Sequence, residues 1–167
     1  MDECMTRRTL LGSVGAAAMF PPWAKAVHPR DPHAPQPVLE ISLRVGEPHA
    51  GMHGWRRAVA RAGLASGSLL QGSVQTGQLQ WLVDPASGAV QVALDLLLLR
   101  ADGALIRLRD RSAHREGAPL ELPGVPTAPE LFDAAGAVLP VSSRLAGRLD
   151  ASALGRGLVW LRAFNRG

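Results

Sequence analysis

One acid stands in a run of leucines: Asp95 is flanked by Leu94, Leu96, Leu97, Leu98 and Leu99. A carboxylate in such company needs a partner wherever it is buried, because an unpaired ion in an apolar medium is strongly disfavoured. Arg107 and Arg109 follow at alternate positions of a later stretch, and Gln80 and Trp81 precede on an earlier one. If the face carrying Gln80, Asp95, Arg107 and Arg109 lines a barrel lumen, Asp95 serves as general base or hydrogen-bond acceptor. The arginines then orient a ligand carboxylate or enolate. If the face is external, Asp95 and Arg109 form a solvated cross-strand ion pair that contributes little. Both readings stay open on the sequence. Trp81, Trp55 and Trp160 either line a pocket or fill a core.

Other chemistry is thinner. His49 and His53 would share a face only on a helix, and Gly51 and Gly54 oppose one, so no metal site is expected from them or from His28 and His33. His114 lies in the arginine-rich run from Arg109 to Arg115, which reads as a loop. Ser142 and Ser143 sit in no nucleophile-elbow motif, and neither a phosphate-binding loop nor a dinucleotide fingerprint is present. No cofactor is expected.

The elements that hold these residues follow from periodicity and turns. Residues 38–45, 68–75, 78–84, 89–100, 104–110, 137–141, 143–149 and 157–165 read as strands, and 111–128 as a long loop. Residues 55–62 fit a helix or a strand. Pro85-Ala86-Ser87-Gly88 makes a four-residue hairpin loop. Its register places Trp81 opposite Val92, Val83 opposite Val90 and Leu79 opposite Leu94. Ala101-Asp102-Gly103 makes a three-residue loop with glycine in the left-handed position. That register pairs Leu98 with Ile106, Leu96 with Leu108 and Asp95 with Arg109. One face of the three-strand unit is then wholly apolar: Leu79, Trp81, Val83, Val90, Val92, Leu94, Leu96, Leu98, Ile106 and Leu108. The other mixes Gln78, Gln80, Leu82, Gln91, Asp95, Leu97, Leu99, Arg107 and Arg109. A one-residue slip would send Arg107 and Arg109 into the apolar face.

Short strands with regular turns predict an all-β fold, a sandwich or a barrel. The stretch Leu70-x-Gly72-x-Val74-x-x-Gly77 leading to Trp81, then Gly88, Leu98 and Asp102-Gly103-Ala104-Leu105-Ile106, resembles the small β-barrel family known as domain of unknown function 3237. The closing Val159-x-x-x-Ala163-Phe164 is similar to that family's last strand. The resemblance implies a strand for 55–62 and a single antiparallel barrel of about eight strands. The chain departs from the family pattern at Gln80, where the family carries Asp, and at Asp95-Leu96, where it carries Arg-Tyr. The family's Trp-Leu-Asn signature has no counterpart around 139–149.

The chain of 167 residues opens with Thr6-Arg7-Arg8-Thr9-Leu10-Leu11, then a short apolar stretch and Ala24-Lys25-Ala26. Charged start, apolar stretch and small-x-small site form a secretory signal, and the paired Arg7 and Arg8 assign it to the twin-arginine route. The apolar stretch is roughly half of the ~20 residues a spanning helix needs, so no membrane anchor is expected after cleavage near Ala26. Residues 1–26 are therefore read as signal, with the twin-arginine translocase as transient partner. The proline-rich 27–37 reads as a disordered leader and 38–167 as the barrel domain in the periplasm.

Cleavage removes Cys4 and Lys25, the only cysteine and the only lysine. Thiol nucleophiles, disulfides and cysteine-ligated metals are thereby excluded from the expected mature protein. The remaining basic residues are arginines that alternate with aliphatics, aromatics make up only 4%, and tyrosine is absent. A nucleic-acid footprint needs a basic stripe with stacking rings, so nucleic-acid binding is not expected. Small-molecule binding in the lumen is the leading functional expectation. The alternatives are a cofactor-independent isomerase, cyclase or lyase, and a structural or interaction barrel with a packed interior.

The signal is tested by replacing both Arg7 and Arg8 with lysine. Uncleaved protein should then accumulate in the cytoplasm, and normal periplasmic recovery would count against the twin-arginine route.

Overall fold

The computed structural model describes residues 35–84, 86, 90–112 and 124–166. The expected signal, most of the expected leader, His28, His33, His114 and most of the Pro85–Gly88 loop lie outside them. Ten strands form one antiparallel sheet: β1 (Leu39–Val45), β2 (His49–Ala50), β3 (Arg56–Ser66), β4 (Gly72–Val83), β5 (Val90–Arg100), β6 (Leu105–Arg111), β7 (Val125–Thr127), β8 (Glu130–Phe132), β9 (Leu145–Asp150) and β10 (Leu158–Asn165). Among the described residues there is no α-helix, and short 3-10 turns are the only helical geometry.

The order across the sheet is β7-β9-β10-β1-β3-β4-β5-β6-β8, with β2 attached to β3. The two edge strands are consecutive in the chain, separated only by Ala128 and Pro129. Thr127 bridges to Ser112 at the end of β6, and the Ala128 N–H donates to the Arg111 carbonyl at 3.1 Å. The segment from Val125 to Phe132 thus pairs with β9 through its first half and with β6 through its second. It brings the two edges of the curled sheet together. The fold is an antiparallel barrel, as expected.

Alternation along each strand decides what is inside. Leu39, Ile41, Leu43 and Val45 of β1 turn inward, as do Leu94, Leu96 and Leu98 of β5, Ile106 and Leu108 of β6, and Val159, Leu161 and Ala163 of β10. At this strand number a barrel interior is just wide enough for side chains to fill it. The described inward positions do so almost entirely with aliphatic groups.

Both hairpin registers expected from the turns are present: Trp81 opposite Val92, Val83 opposite Val90, Leu98 opposite Ile106, Leu96 opposite Leu108 and Asp95 opposite Arg109. Gly103 takes φ of 86°, the left-handed conformation its loop requires. Val83 departs from the expected core: at the end of β4, it is 51% exposed. Residues 56–66 are a strand, settling the helix-or-strand ambiguity of 55–62.

Three expectations are corrected. Residues 68–75 and 78–84 are not two strands with a turn between them. One strand, β4, carries a bulge between Val74 and Thr76, which absorbs the break that Thr76-Gly77 suggests. Residues 137–141 are not a strand: Pro140 lacks an N–H and opens a 3-10 turn over Pro140–Arg144. The loop expected over 111–128 ends in β7, and β8 and β2 were not expected at all.

Deleting inward bulk should cost far more than deleting outward bulk. Leu108→Ala, fully buried, is expected to lose about 2–5 kcal/mol in a urea titration. Leu105→Ala, three residues away and exposed, should lose under about 0.5 kcal/mol. Equal losses would contradict the assignment of faces.

Candidate functional site

Asp95, Arg107, Arg109 and Gln80 come together, but on the outer wall of the barrel. The lumen position is corrected by strand parity: Leu94 and Leu96 flank Asp95 and point inward, and Ile106 and Leu108 do so beside Arg107. Trp81 is not with them. It packs against the core on the inner side of the sheet, opposite the buried Val92. Trp160 is buried and Trp55 half-buried.

The partner of Asp95 also differs from the expected one. Arg109 is its cross-strand neighbour, yet Arg107, one step along the same face, makes the two-pronged contact. Its Nε donates to Asp95 Oδ1 at 2.8 Å and its Nη2 to Oδ2 at 2.6 Å. Arg109 Nε stands 3.9 Å from Oδ2. The fork of a guanidinium matches a carboxylate in this way when its stem leans diagonally across the sheet. The hydrogen bonds from Arg107 hold the Asp95 carboxyl below its ordinary range, so it is a committed anion at neutral pH.

Because Arg107 satisfies Asp95, the other two arginines of β6 are free of strong pairing. Arg109 lies over the Phe132 ring with its carbon 5.0 Å from the centroid. Arg111 has no ion-pair partner among the described residues. Together with Gln78, Gln80, Asp95, Arg109 and the nearly buried Asp110 it lines a groove of about 280 Å³ above the small side chain of Ala93. Alternation puts this set on one face: Gln78 pairs with Asp95 and Asp95 with Arg109, while Gln80 pairs with Ala93 and Ala93 with Arg111. Two amides and two guanidinium groups give the groove many N–H donors, set beside the neutralised Asp95 and the buried Asp110. Such a lining suits an anionic oxygen group.

Among the described residues four polar ones are buried, Asp110, Thr127, Ser142 and Asp150. Asp110 is 2% exposed, and neither of its carboxyl oxygens has a hydrogen-bond partner of good geometry among the described residues. Burial pushes its pKa up to about 7. The nearby Thr127 hydroxyl and the backbone N–H groups of Arg111 and Ala128 temper that rise. Thr127 Oγ1 is itself buried without a well-formed partner, and a β-carbon at Gly147 would collide with it. Asp110 was not singled out from the sequence, although the signal was there. The register that turns Ile106 and Leu108 inward turns Asp110 inward too.

No family model matches the chain, and no curated protein matches it in sequence. Solved structures do resemble it. A conserved protein of unknown function from Rhodopseudomonas palustris is similar with a TM-score of 0.59 and 14% identity, over 78% of this chain and 94% of that one. A protein of unknown function from Clostridium acetobutylicum gives 0.58 and 17%, over 79% and 95%. A β-barrel-like protein from Acinetobacter baumannii gives 0.54 and 18%, over 78% and 93%. Likeness at this level of identity establishes the fold alone.

Asp110 makes stability depend on pH in a fixed direction. The folded chain keeps the proton up to about 7, whereas the unfolded chain releases it near 3.8. Between those values the folded state binds more protons, so stability falls as pH rises and levels off above 7. The steepest loss is on the order of 1.4 kcal/mol per pH unit. Urea midpoints of the wild type should therefore drop from pH 5 to pH 8, while Asp110→Asn removes that component of the slope. Parallel curves for the two proteins would show that Asp110 is not the titrating group.

Proposed function

We propose that this protein is a small-molecule-binding barrel whose binding site is the groove on its outer wall, and that its ligand is an organic anion. The observation that carries the reading is the division of labour among three arginines on one strand. Arg107 is spent on Asp95, while Arg109 and Arg111 face the same groove as Gln78 and Gln80. A guanidinium pair beside amide donors recognises a carboxylate or phosphate better than it recognises a neutral group. Export by the twin-arginine route and action in the periplasm belong to the same proposal, on the strength of Arg7, Arg8 and the Ala24-Lys25-Ala26 site.

A second reading keeps the ligand, or a substrate, inside the barrel. What favours it is the buried pair Asp110 and Thr127, since unpartnered buried polar groups mark sites of function or of solvent. Against it stands the aliphatic filling of the described inward positions.

The two readings separate cleanly. After exposure to a small-metabolite extract, the wild type should carry a bound mass in native mass spectrometry. The double variant Arg109→Gln, Arg111→Gln should lose it, and Asp110→Asn should retain it. Loss in Asp110→Asn with retention in the double variant would move the site into the lumen. A wild type that carries nothing would count against binding altogether.

A further inference from the structure

A second groove of about 270 Å³ adjoins the first on the same outer wall, between β5, β6 and the turn after β8. Its lining is different in kind. Leu97, Leu105 and Phe132 supply apolar surface, and Arg107 and Arg109 stand among them. Leu105 is 42% exposed, a large aliphatic side chain left open to solvent. Register puts these groups on one patch, since Leu97 pairs with Arg107 and Arg107 with Phe132.

Arg109 lines both grooves, and the Asp95–Arg107 ion pair stands between them, with one partner on each side. From the polar groove, one step across Arg109 therefore leads onto the apolar one. Resting on the anion-binding reading above, we infer that the ligand is amphipathic: an acidic head held by Arg109 and Arg111, and an apolar chain or ring laid over Leu97, Leu105 and Phe132.

Four acidic groups lie nearby, and one of them, Asp110, lines the polar groove but is only 2% exposed. Asp95 is neutralised by Arg107. Asp133 is occupied by its own turn, its Oδ1 accepting from the N–H groups of Ala135 and Ala137 at 2.9 Å each. Glu130 is opposite Arg109 in register, and no ion pair joins them. The Phe132 ring, already under the Arg109 guanidinium, holds that cation at the junction of the two grooves. An anionic head reaching Arg109 leaves its tail directed at either groove, and Leu97, Leu105 and Phe132 stand in only one of them. Removing that tail from water supplies the preference.

Calorimetric titration with acetate, hexanoate and hexan-1-ol tests the inference. Hexanoate should bind at least tenfold more tightly than acetate, and hexan-1-ol at least tenfold more weakly than hexanoate. Leu105→Ser and Leu97→Ser should each bring hexanoate down toward acetate while leaving acetate unchanged. Both changes are on the outer wall, and circular dichroism would verify that the variants remain folded. Acetate and hexanoate binding equally well would overturn the amphipathic ligand while leaving the anion site standing. Hexan-1-ol binding as well as hexanoate would leave an apolar site without an anion site. Failure of all three to bind would remove both the inference and the reading on which it rests.

Discussion

Everything in this molecule depends on how the segment from Val125 to Phe132 closes the sheet. It leaves β9 after three residues and reaches β6 for the next three, so the two edges of the sheet are parts of one short stretch of chain. The Ser112–Thr127 bridge and the Ala128–Arg111 hydrogen bond cover part of the edges that an open sheet must otherwise protect. Closure also fixes an inside and an outside for every strand. A polar side chain at an inward position then has no water to turn to, while an outward one is free to take up charge.

The distribution of chemistry follows from that division. The charged residues of β5 and β6 that alternate outward, Asp95, Arg107, Arg109 and Arg111, make one two-pronged ion pair and a looser one to Arg109, and leave donors over. Asp110 has the opposite parity and carries the cost of burial as a raised pKa. Its position near the closing segment, beside Thr127 and the Ala128 backbone, places a titrating group where the barrel is joined by only a few bonds. The outward arginines and the buried carboxyl at the seam are thus two consequences of the same alternation.

The hairpins were legible in the sequence because turn length fixes register: Ala101-Asp102-Gly103 leaves no other pairing that keeps Arg107 and Arg109 out of the apolar face. The closing strands were not legible. Three residues each, with Pro126 inside one and Pro129 before the other, are too short to show a period. The bulge in β4 was hidden for a related reason, since Gly77 resembles a turn residue in isolation. The face of Asp95 stayed open because Leu97 and Leu99 make the outer side look partly apolar as well. What decides the matter is which side the sheet curls toward, and that depends on contacts between β6, β7 and β9 that are remote in sequence. Asp110 is the reverse case. Its inward parity could have been read from the same register as that of Leu108.

The central claim is that the interior holds the fold and the outer wall holds the ligand. A crystal of the protein grown with 4-bromobenzoate tests it most directly, because the bromine marks its own position by anomalous scattering. The account predicts a peak over Leu97, Leu105 and Phe132, with the carboxylate on Arg109. A peak inside the barrel beside Asp110 and Thr127 would contradict it.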